Sequence, residues 1–133
     1  MRLALLPALL LAACSPNTTP SPVAAPAPAA PPIPFRQLGW DSDHFTWEGK
    51  PFTGTTTDHY KSGALKCRYG IRNGRYHGLV EEWHENGYPK TRTTYIDGRH
   101  EGDNFYWNPD GSLQSHKIWK NDSLVSESHP PKP

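Results

Sequence analysis

Residues 74–97 read GRYHGLVEEWHENGYPKTRTTYID, and the stretch from Gly49 to Asp122 is built from three copies of this pattern. Written in rows of 24, the chain places equivalent residues in shared columns, which hold Gly54, Gly78 and Gly102; Gly63, Gly87 and Gly111; and Trp47, Ile71, Tyr95 and Trp119. Self-similarity at a fixed period is typical of repeat architectures, in which each unit packs mainly against its neighbours.

Each unit has the composition of a β-hairpin. Leu79–His84 and Thr91–Ile96 are short, rich in β-branched and aromatic residues, and lack helical periodicity. Asn86-Gly87 between them is a strong hairpin signal, because both central residues of a type I′ turn need positive φ. Asp97-Gly98 then predicts a second turn, and the other units have equivalents at Ser62-Gly63, Asn73-Gly74, Asp110-Gly111 and Asn121-Asp122. The sequence therefore predicts an all-β fold, an antiparallel meander of repeated β-hairpins.

The period also predicts which side chains stack. One apolar ladder consists of Trp47, Ile71, Tyr95 and Trp119, and a second of His59, Trp83 and Trp107. We expect both to form the core, since aromatic side chains bury roughly 150–250 Å² each. The alternative is that the aromatic ladders form an exposed surface for sugars or lipids.

A basic column is the candidate binding site, and its members are His44, Arg68, Arg92 and His116. Each lies three residues before the first apolar ladder and should therefore face away from it. Asp58 and Glu82 are expected in register on the other strand of each hairpin, with Tyr106 continuing their column. The column is either a recognition surface for an acidic protein or lipid headgroups, or a solvated face of cross-strand ion pairs.

The first 13 residues predict an export signal, with Arg2 before the short apolar run Leu3–Leu11. The run ends in Leu11-Ala12-Ala13-Cys14, which resembles the lipobox of bacterial lipoproteins. The resemblance implies cleavage before Cys14 and attachment of lipid to it, which would anchor the chain to a membrane. Ser15 in the next position favours the periplasmic face of the outer membrane in a Gram-negative cell.

Residues 14–34 are predicted to be a disordered tether that starts at the lipidated cysteine. Residues 15–34 contain eight Pro and five Ala, a composition that cannot form a core and favours an extended, polyproline-like spacer. Its reach is on the order of 60 Å; the alternative function is a Pro-rich ligand. The repeat domain is predicted to span residues 35–127, with a disordered tail at 128–133.

The repeats resemble the MORN-repeat variant family of bacteria, because each unit combines a Gly pair, an aromatic strand end, a turn such as "ENG" or "PDG" and a closing "DG". The resemblance covers about Phe45 to Leu124. It implies one elongated, twisted sheet. Some bacterial members are assigned as antitoxins, and MORN repeats elsewhere are treated as protein- or lipid-binding modules. The chain departs from the pattern at His59-Tyr60 and at Ser126, which would belong to atypical terminal units.

Catalytic and metal-binding motifs are absent from the sequence. There is no G-x-S-x-G, phosphate loop or HExxH motif, and the seven His lack zinc-site spacing. Cys67 shares a column with Thr91 and Ser115, which favours a small packing position over a reactive thiol. The formal net charge of +1 argues against nucleic acid as a partner. We therefore expect no enzyme, no cofactor and no metal.

The leading hypothesis is a lipid-anchored envelope protein whose repeats bind another protein, which by family resemblance would make it an immunity or antitoxin-like factor. The alternative is a structural module that binds envelope lipid headgroups or glycans.

Overall fold

A computed structural model describes residues 31–131 and confirms an all-β fold. The strands are β1 Ile33–Pro34, β2 Gly39–Asp41, β3 His44–Trp47, β4 Lys50–Pro51, β5 Gly54–His59, β6 Leu65–Arg72, β7 Arg75–Trp83, β8 Pro89–Ile96, β9 Arg99–His100, β10 Gly102–Trp107, β11 Leu113–Lys120 and β12 Ser123–Ser128. A 3-10 helix covers Phe35–Gln37. The predicted signal peptide, Cys14 and most of the predicted tether lie outside the described residues.

The predicted meander is confirmed in the main sheet, whose strand order is β1-β5-β6-β7-β8-β10-β11-β12, with β9 paired to β8. A separate three-stranded sheet has the order β2-β3-β4. The one parallel pairing in residues 31–131 joins β1 to β5, where Ile33 lies opposite Thr56 and Pro34 opposite Thr57. The sheet thus begins two residues before the predicted domain boundary. The Thr56 hydroxyl donates to the Ile33 carbonyl, and an edge strand tolerates a proline that lacks an N–H.

The hairpins use a different turn at each end. At one end, both residues of Asn73-Gly74, Asp97-Gly98 and Asn121-Asp122 have positive φ, as type I′ turns require. At the other end only glycines do, and the prediction of a type I′ turn at Asn86-Gly87 is wrong. The Gly87 amide donates to the His84 carbonyl at 2.9 Å, and the His84 amide donates to the Tyr88 carbonyl at 2.8 Å. This is a three-residue loop in which a type I turn precedes a left-handed glycine.

The glycine column at positions 54, 78 and 102 bends the first strand of each unit. Tyr69 pairs with Val80 and Ile71 with Tyr76, so β7 contains two residues more than β6 between these pairs. Gly78 lies in this bulge with φ 79°, which a glycine adopts at little cost. The bend frees one backbone carbonyl in each unit to accept the amide of the second turn residue; the pairs are Phe52–Gly74, Tyr76–Gly98 and His100–Asp122. Each unit of 24 residues therefore contains a glycine that allows its type I′ turn to form a backbone hydrogen bond with the same unit.

The core lies on one face of the main sheet. Its buried apolar side chains are Phe52, Cys67, Tyr69, Ile71 and Val80, which confirms Cys67 as a packing position. A continuous aromatic column runs along the same face, with ring centroids 4.5–5.5 Å apart, through Phe35, Tyr69, Tyr76, Tyr95, His100 and Trp119. We call this the covered face, because Phe35 and Phe45 of the N-terminal segment pack on Tyr69 and Tyr76.

Of the two predicted apolar ladders, only the first contributes to the core. Ile71 is buried, and Tyr95 and Trp119 are half-buried in the aromatic column. Trp47, also half-buried, belongs to β3 of the small sheet. The second ladder is not core: His59 is exposed, and Trp83 and Trp107 are half-buried on the opposite face. The reason is alternation along a strand, since Trp83 follows Glu81 by two residues, whereas Val80 points to the other side.

Candidate binding face

Five directly opposed residues cross the sheet on the side away from the core. The pairings of β6, β7, β8, β10 and β11 place them in one row, which reads Arg68, Glu81, Arg92, Phe105 and His116. We call this side of the sheet the arginine face. Because every strand of the row contributes one side chain at the same level, the row is continuous across three hairpin units.

A shared carboxylate lies at the centre of the row. Arg68 donates to Glu81 Oε2 from Nε at 3.0 Å and from Nη2 at 2.6 Å, and Arg92 Nε lies 3.4 Å from Glu81 Oε1. The Glu81 side chain is only 9% exposed, whereas those of Arg68 and Arg92 are 50% and 52% exposed. The Arg68 guanidinium also lies 5.4 Å from the centre of the Trp83 ring. One buried anion thus holds two half-exposed cations.

The expected acidic partner was misassigned by one residue. Glu82 pairs with Cys67 and Thr91 and lies on the covered face, where it accepts the Tyr69 hydroxyl at 2.8 Å. Since alternate residues of a strand point to opposite faces, a shift of one residue moves a side chain across the sheet. Counting outward from the Asn86-Gly87 loop would have paired Glu81 with Arg92, so that contact was accessible from the sequence.

The far end of the row is aromatic. Phe105 stacks on the imidazole of His116, with ring centroids 4.4 Å apart and planes 5° apart, and also contacts Trp107 at 5.6 Å. Asp103 accepts from His116 Nε2 at 2.7 Å, so this predicted basic position is also paired with an acid. Phe105 was not predicted as a site residue, because its column holds Glu81 in the preceding unit and gives no repeated aromatic signal.

The structure brings together Arg68, Arg92 and His116 but does not place His44 with them. His44 belongs to β3, which pairs with β2 and β4 rather than with β5, and the column of the main sheet therefore does not extend to it. Its Nδ1 lies 2.8 Å from the Ser42 carbonyl oxygen, and its Nε2 accepts from Arg75 Nε at 3.4 Å. His44 thus lies at the type I′ turn end of the array.

A chain of hydrogen bonds joins Tyr95, His100 and Asp122. The Tyr95 hydroxyl lies 2.9 Å from His100 Nε2, and Asp122 Oδ1 lies 3.1 Å from His100 Nδ1. Burial raises the pKa of Tyr95, which keeps its hydroxyl neutral and suits a structural hydrogen bond. Burial likewise raises the pKa of Cys67, which makes the thiol a poor nucleophile.

Comparisons with known proteins identify no relative: no family model matches the chain, and no curated protein or solved structure is detectably similar to it. Residues 31–131 contain no group of three or more His, Cys, Asp or Glu side chains placed to hold a metal ion. Over the same residues, no helix has the length and apolar character needed to cross a membrane.

Proposed function

We propose that this chain is a lipid-anchored binding protein of the bacterial cell envelope, whose arginine face binds an acidic segment of another protein. The observation that carries the proposal is the arrangement of Arg68 and Arg92 around the buried carboxylate of Glu81. The MORN-like pattern supports a binding role over catalysis, and the antitoxin assignment of some family members supports an immunity-type partner.

Preorganisation explains why these two arginines suit recognition. A free arginine loses rotamer freedom when it binds, on the order of 0.5–1.5 kcal/mol per immobilised side chain. Arg68 is already held by Glu81 and by contact with the Trp83 ring, so less of this entropy remains to be lost. Glu81 neutralises only one of the two cations, and each guanidinium has five N–H donors, enough for an incoming carboxylate.

The neighbouring side chains resemble the composition of protein interfaces. Arg and Trp are enriched among interface residues that contribute most to affinity, and Arg68, Arg92 and Trp83 lie together here. Leu79, on the same face, is 42% exposed and lies against Arg68 and Glu81 in a shallow depression. An apolar residue of a partner would bury Leu79 while its acidic residues meet the guanidinium groups.

A glycan or lipid headgroup is the alternative ligand of this face. The half-buried rings of Phe105 and Trp107 on the same side favour it, since sugars stack on aromatic rings. Under this alternative the arginine pair would serve an anionic sugar or headgroup rather than a protein.

Site-specific photo-crosslinking in the native host tests the protein-binding proposal. A photoreactive amino acid at Leu79 should crosslink one protein, whereas the same amino acid at Lys117, on the covered face, should not. Arg68→Gln with Arg92→Gln should abolish the crosslink, and higher salt should weaken it because the attraction is screened. The control Arg36→Gln with Lys61→Gln removes the same charge elsewhere and should preserve it. Equal crosslinking from both faces, or a crosslink that survives the arginine changes, would refute the proposal.

The lipid anchor has a separate test. Cys14→Ser removes the thiol that the lipobox-like motif predicts to be acylated, so the variant should move from the membrane fraction to the soluble fraction. Fractionation and intact mass measure this. A variant that remains in membranes with unchanged mass would contradict lipidation while leaving the binding proposal intact.

A further inference from the structure

A second candidate site lies at the type I′ turn end, away from the arginine row. It is an open cleft of about 610 Å³, and the side chains that line it include Arg72, Arg75, Asp97, Arg99 and His44. We call it the turn-end cleft. Its walls come from the stacked turns of successive units together with β3 of the small sheet, so the tertiary structure assembles it from separate repeats.

The three arginines lie at the type I′ turn end of β6, β7 and β9. Arg72 lies directly opposite Arg75 across the Asn73-Gly74 turn, and Arg99 lies opposite Ile96 across the next turn. Arg75 and Arg99 occupy the same position of successive units, so their backbones should lie about 10 Å apart, the width of two strands. The repeat therefore presents guanidinium groups at regular intervals along this edge.

Arg75 is positioned by its surroundings. Its aliphatic stem lies 3.7–3.9 Å from the point where a Cβ on Gly98 would stand, and its Nε donates to His44 Nε2 at 3.4 Å. His44 Nδ1 is 2.8 Å from the Ser42 carbonyl oxygen, a contact that fixes the proton on Nδ1 and leaves Nε2 as an acceptor. The small sheet thus holds this guanidinium without neutralising its charge.

The charges in the cleft do not balance. Asp97 is the single carboxylate among its lining residues, and Arg72 Nη2 donates to Asp97 Oδ1 at 2.8 Å. This hydrogen bond holds the pKa of Asp97 below its usual range, so the carboxylate stays ionised and paired. Neither Arg75 nor Arg99 has a carboxylate within 4.0 Å among residues 31–131. Among the lining residues, three arginines therefore accompany one carboxylate, and Asp122, which is attracted to Arg99, does not line the cleft.

We propose that the turn-end cleft binds a phosphomonoester. A phosphate monoester carries about −1.5 to −2 charges at neutral pH, which matches the uncompensated arginines. A guanidinium group can bind two phosphate oxygens at once, and a phosphate has enough oxygens for two guanidinium groups. A single carboxylate has only two oxygens and would occupy one guanidinium group. The volume exceeds that of a lone phosphate and falls in the range of small-molecule sites, roughly 300–1,000 Å³. Ile96, 49% exposed, offers an apolar wall for the organic group attached to the phosphate.

This site is distinct from the row of Arg68, Glu81 and Arg92, although alternation along β6 places Arg72 on the same side of the sheet as Arg68. Arg72, Arg75 and Arg99 take no part in the Arg68–Glu81–Arg92 contacts, and the two sites lie at different levels of the same strands. Either proposal can therefore fail without the other.

Calorimetric titration tests the proposal with glycerol 3-phosphate as the probe. The protein is the full chain with Cys14→Ser, so that an N-terminal lipid cannot contribute. We expect saturable binding, no binding of glycerol, and weaker binding of the monoanion dimethyl phosphate. Arg75→Gln with Arg99→Gln should weaken binding at least tenfold, since each guanidinium would supply charge-assisted hydrogen bonds to the phosphate. Arg68→Gln with Arg92→Gln removes the same charge from the arginine face and should change affinity less than about twofold.

Phosphatidylcholine vesicles containing phosphatidic acid form a second arm, because a phosphomonoester headgroup has the same chemistry. We expect the protein to sediment with these vesicles and glycerol 3-phosphate to release it. That result would assign both ligands to the cleft. The proposal would be overturned if neither probe bound at a phosphomonoester concentration of about 10 mM, because a weaker dissociation constant would not support specific binding. It would also be overturned if the Arg75/Arg99 and Arg68/Arg92 double variants lost affinity equally. Arg99→Gln alone carries the test if Arg75→Gln lowers the unfolding temperature, because Arg99 has no ion pair in residues 31–131 to lose.

Discussion

The two faces of the main sheet are built from the same strands but are stabilised in different ways. On the covered face, Tyr69 and Tyr76 pack against aromatic rings contributed by the N-terminal segment. On the arginine face, the half-exposed Arg68 and Arg92 form ion pairs with the buried carboxylate of Glu81. The comparison shows that the repeated strand pattern places both apolar and polar side chains on each face of the sheet. The segment before the repeats decides which face becomes core, because Phe35 and Phe45 cover only one.

The largest effect expected is on the covered face. Tyr69 is 8% exposed, contacts Phe35 and Tyr76, and donates to Glu82. Tyr69→Ala should lower the free energy of unfolding by roughly 3–5 kcal/mol, because it leaves a large cavity. Urea denaturation of the variant and the parent protein measures this difference.

Trp107 provides the matched aromatic change on the other face. It is half-buried and contacts Phe105, so Trp107→Ala should cost less, on the order of 1–2 kcal/mol, as the ring loses only part of its buried area. A loss as large as that of Tyr69→Ala would show that both faces are core, and the distinction between them would fail.

Alkaline pH should weaken the covered face next. Burial raises the pKa of Tyr76 to about 12 and raises those of Tyr69 and Tyr95. A tyrosine ionises near pH 10 in the unfolded chain, so the unfolded state releases protons first. The stability contributed by these neutral hydroxyls is complete below about pH 10 and is lost as pH rises toward 12. Urea denaturation over this range, with phenolate absorbance, measures it. Full phenolate absorbance in the folded protein near pH 10 would contradict the buried column.

The smallest effect expected is on the arginine face. Glu81→Gln removes the charge shared by Arg68 and Arg92, yet both guanidinium groups remain half in solvent, where ion pairs are worth about 0–1 kcal/mol. We expect a loss of about 1 kcal/mol or less in the free energy of unfolding. A loss of several kcal/mol would mean that the row mainly holds the sheet together, and the proposed binding role would lose its support.

The two edges of the main sheet also differ. At the N-terminal edge, β1 with its Pro34 caps β5, and a proline limits further pairing. At the C-terminal edge, every residue of β12 is exposed, including Leu124 at 46% and Val125 at 62%. The sequence signal for this edge was the loss of the glycine column at Ser126.

The sequence by itself determined the period, the hairpin units and the positions of the turns, because residues such as Asn73 and Gly74 have local φ preferences that favour a turn. It did not determine the turn type, since Asn86-Gly87 does not form the type I′ turn that it predicts. It also determined that Arg68, Arg92 and His116 share a face, since the period equals two strands plus their turns. Only the tertiary structure decided that Glu81 rather than Leu79 lies opposite Arg68, because the bulge at Gly78 shifts the register by two residues. It also decided that His44 leaves the basic column and positions Arg75, because strand pairing separates β3 from the main sheet.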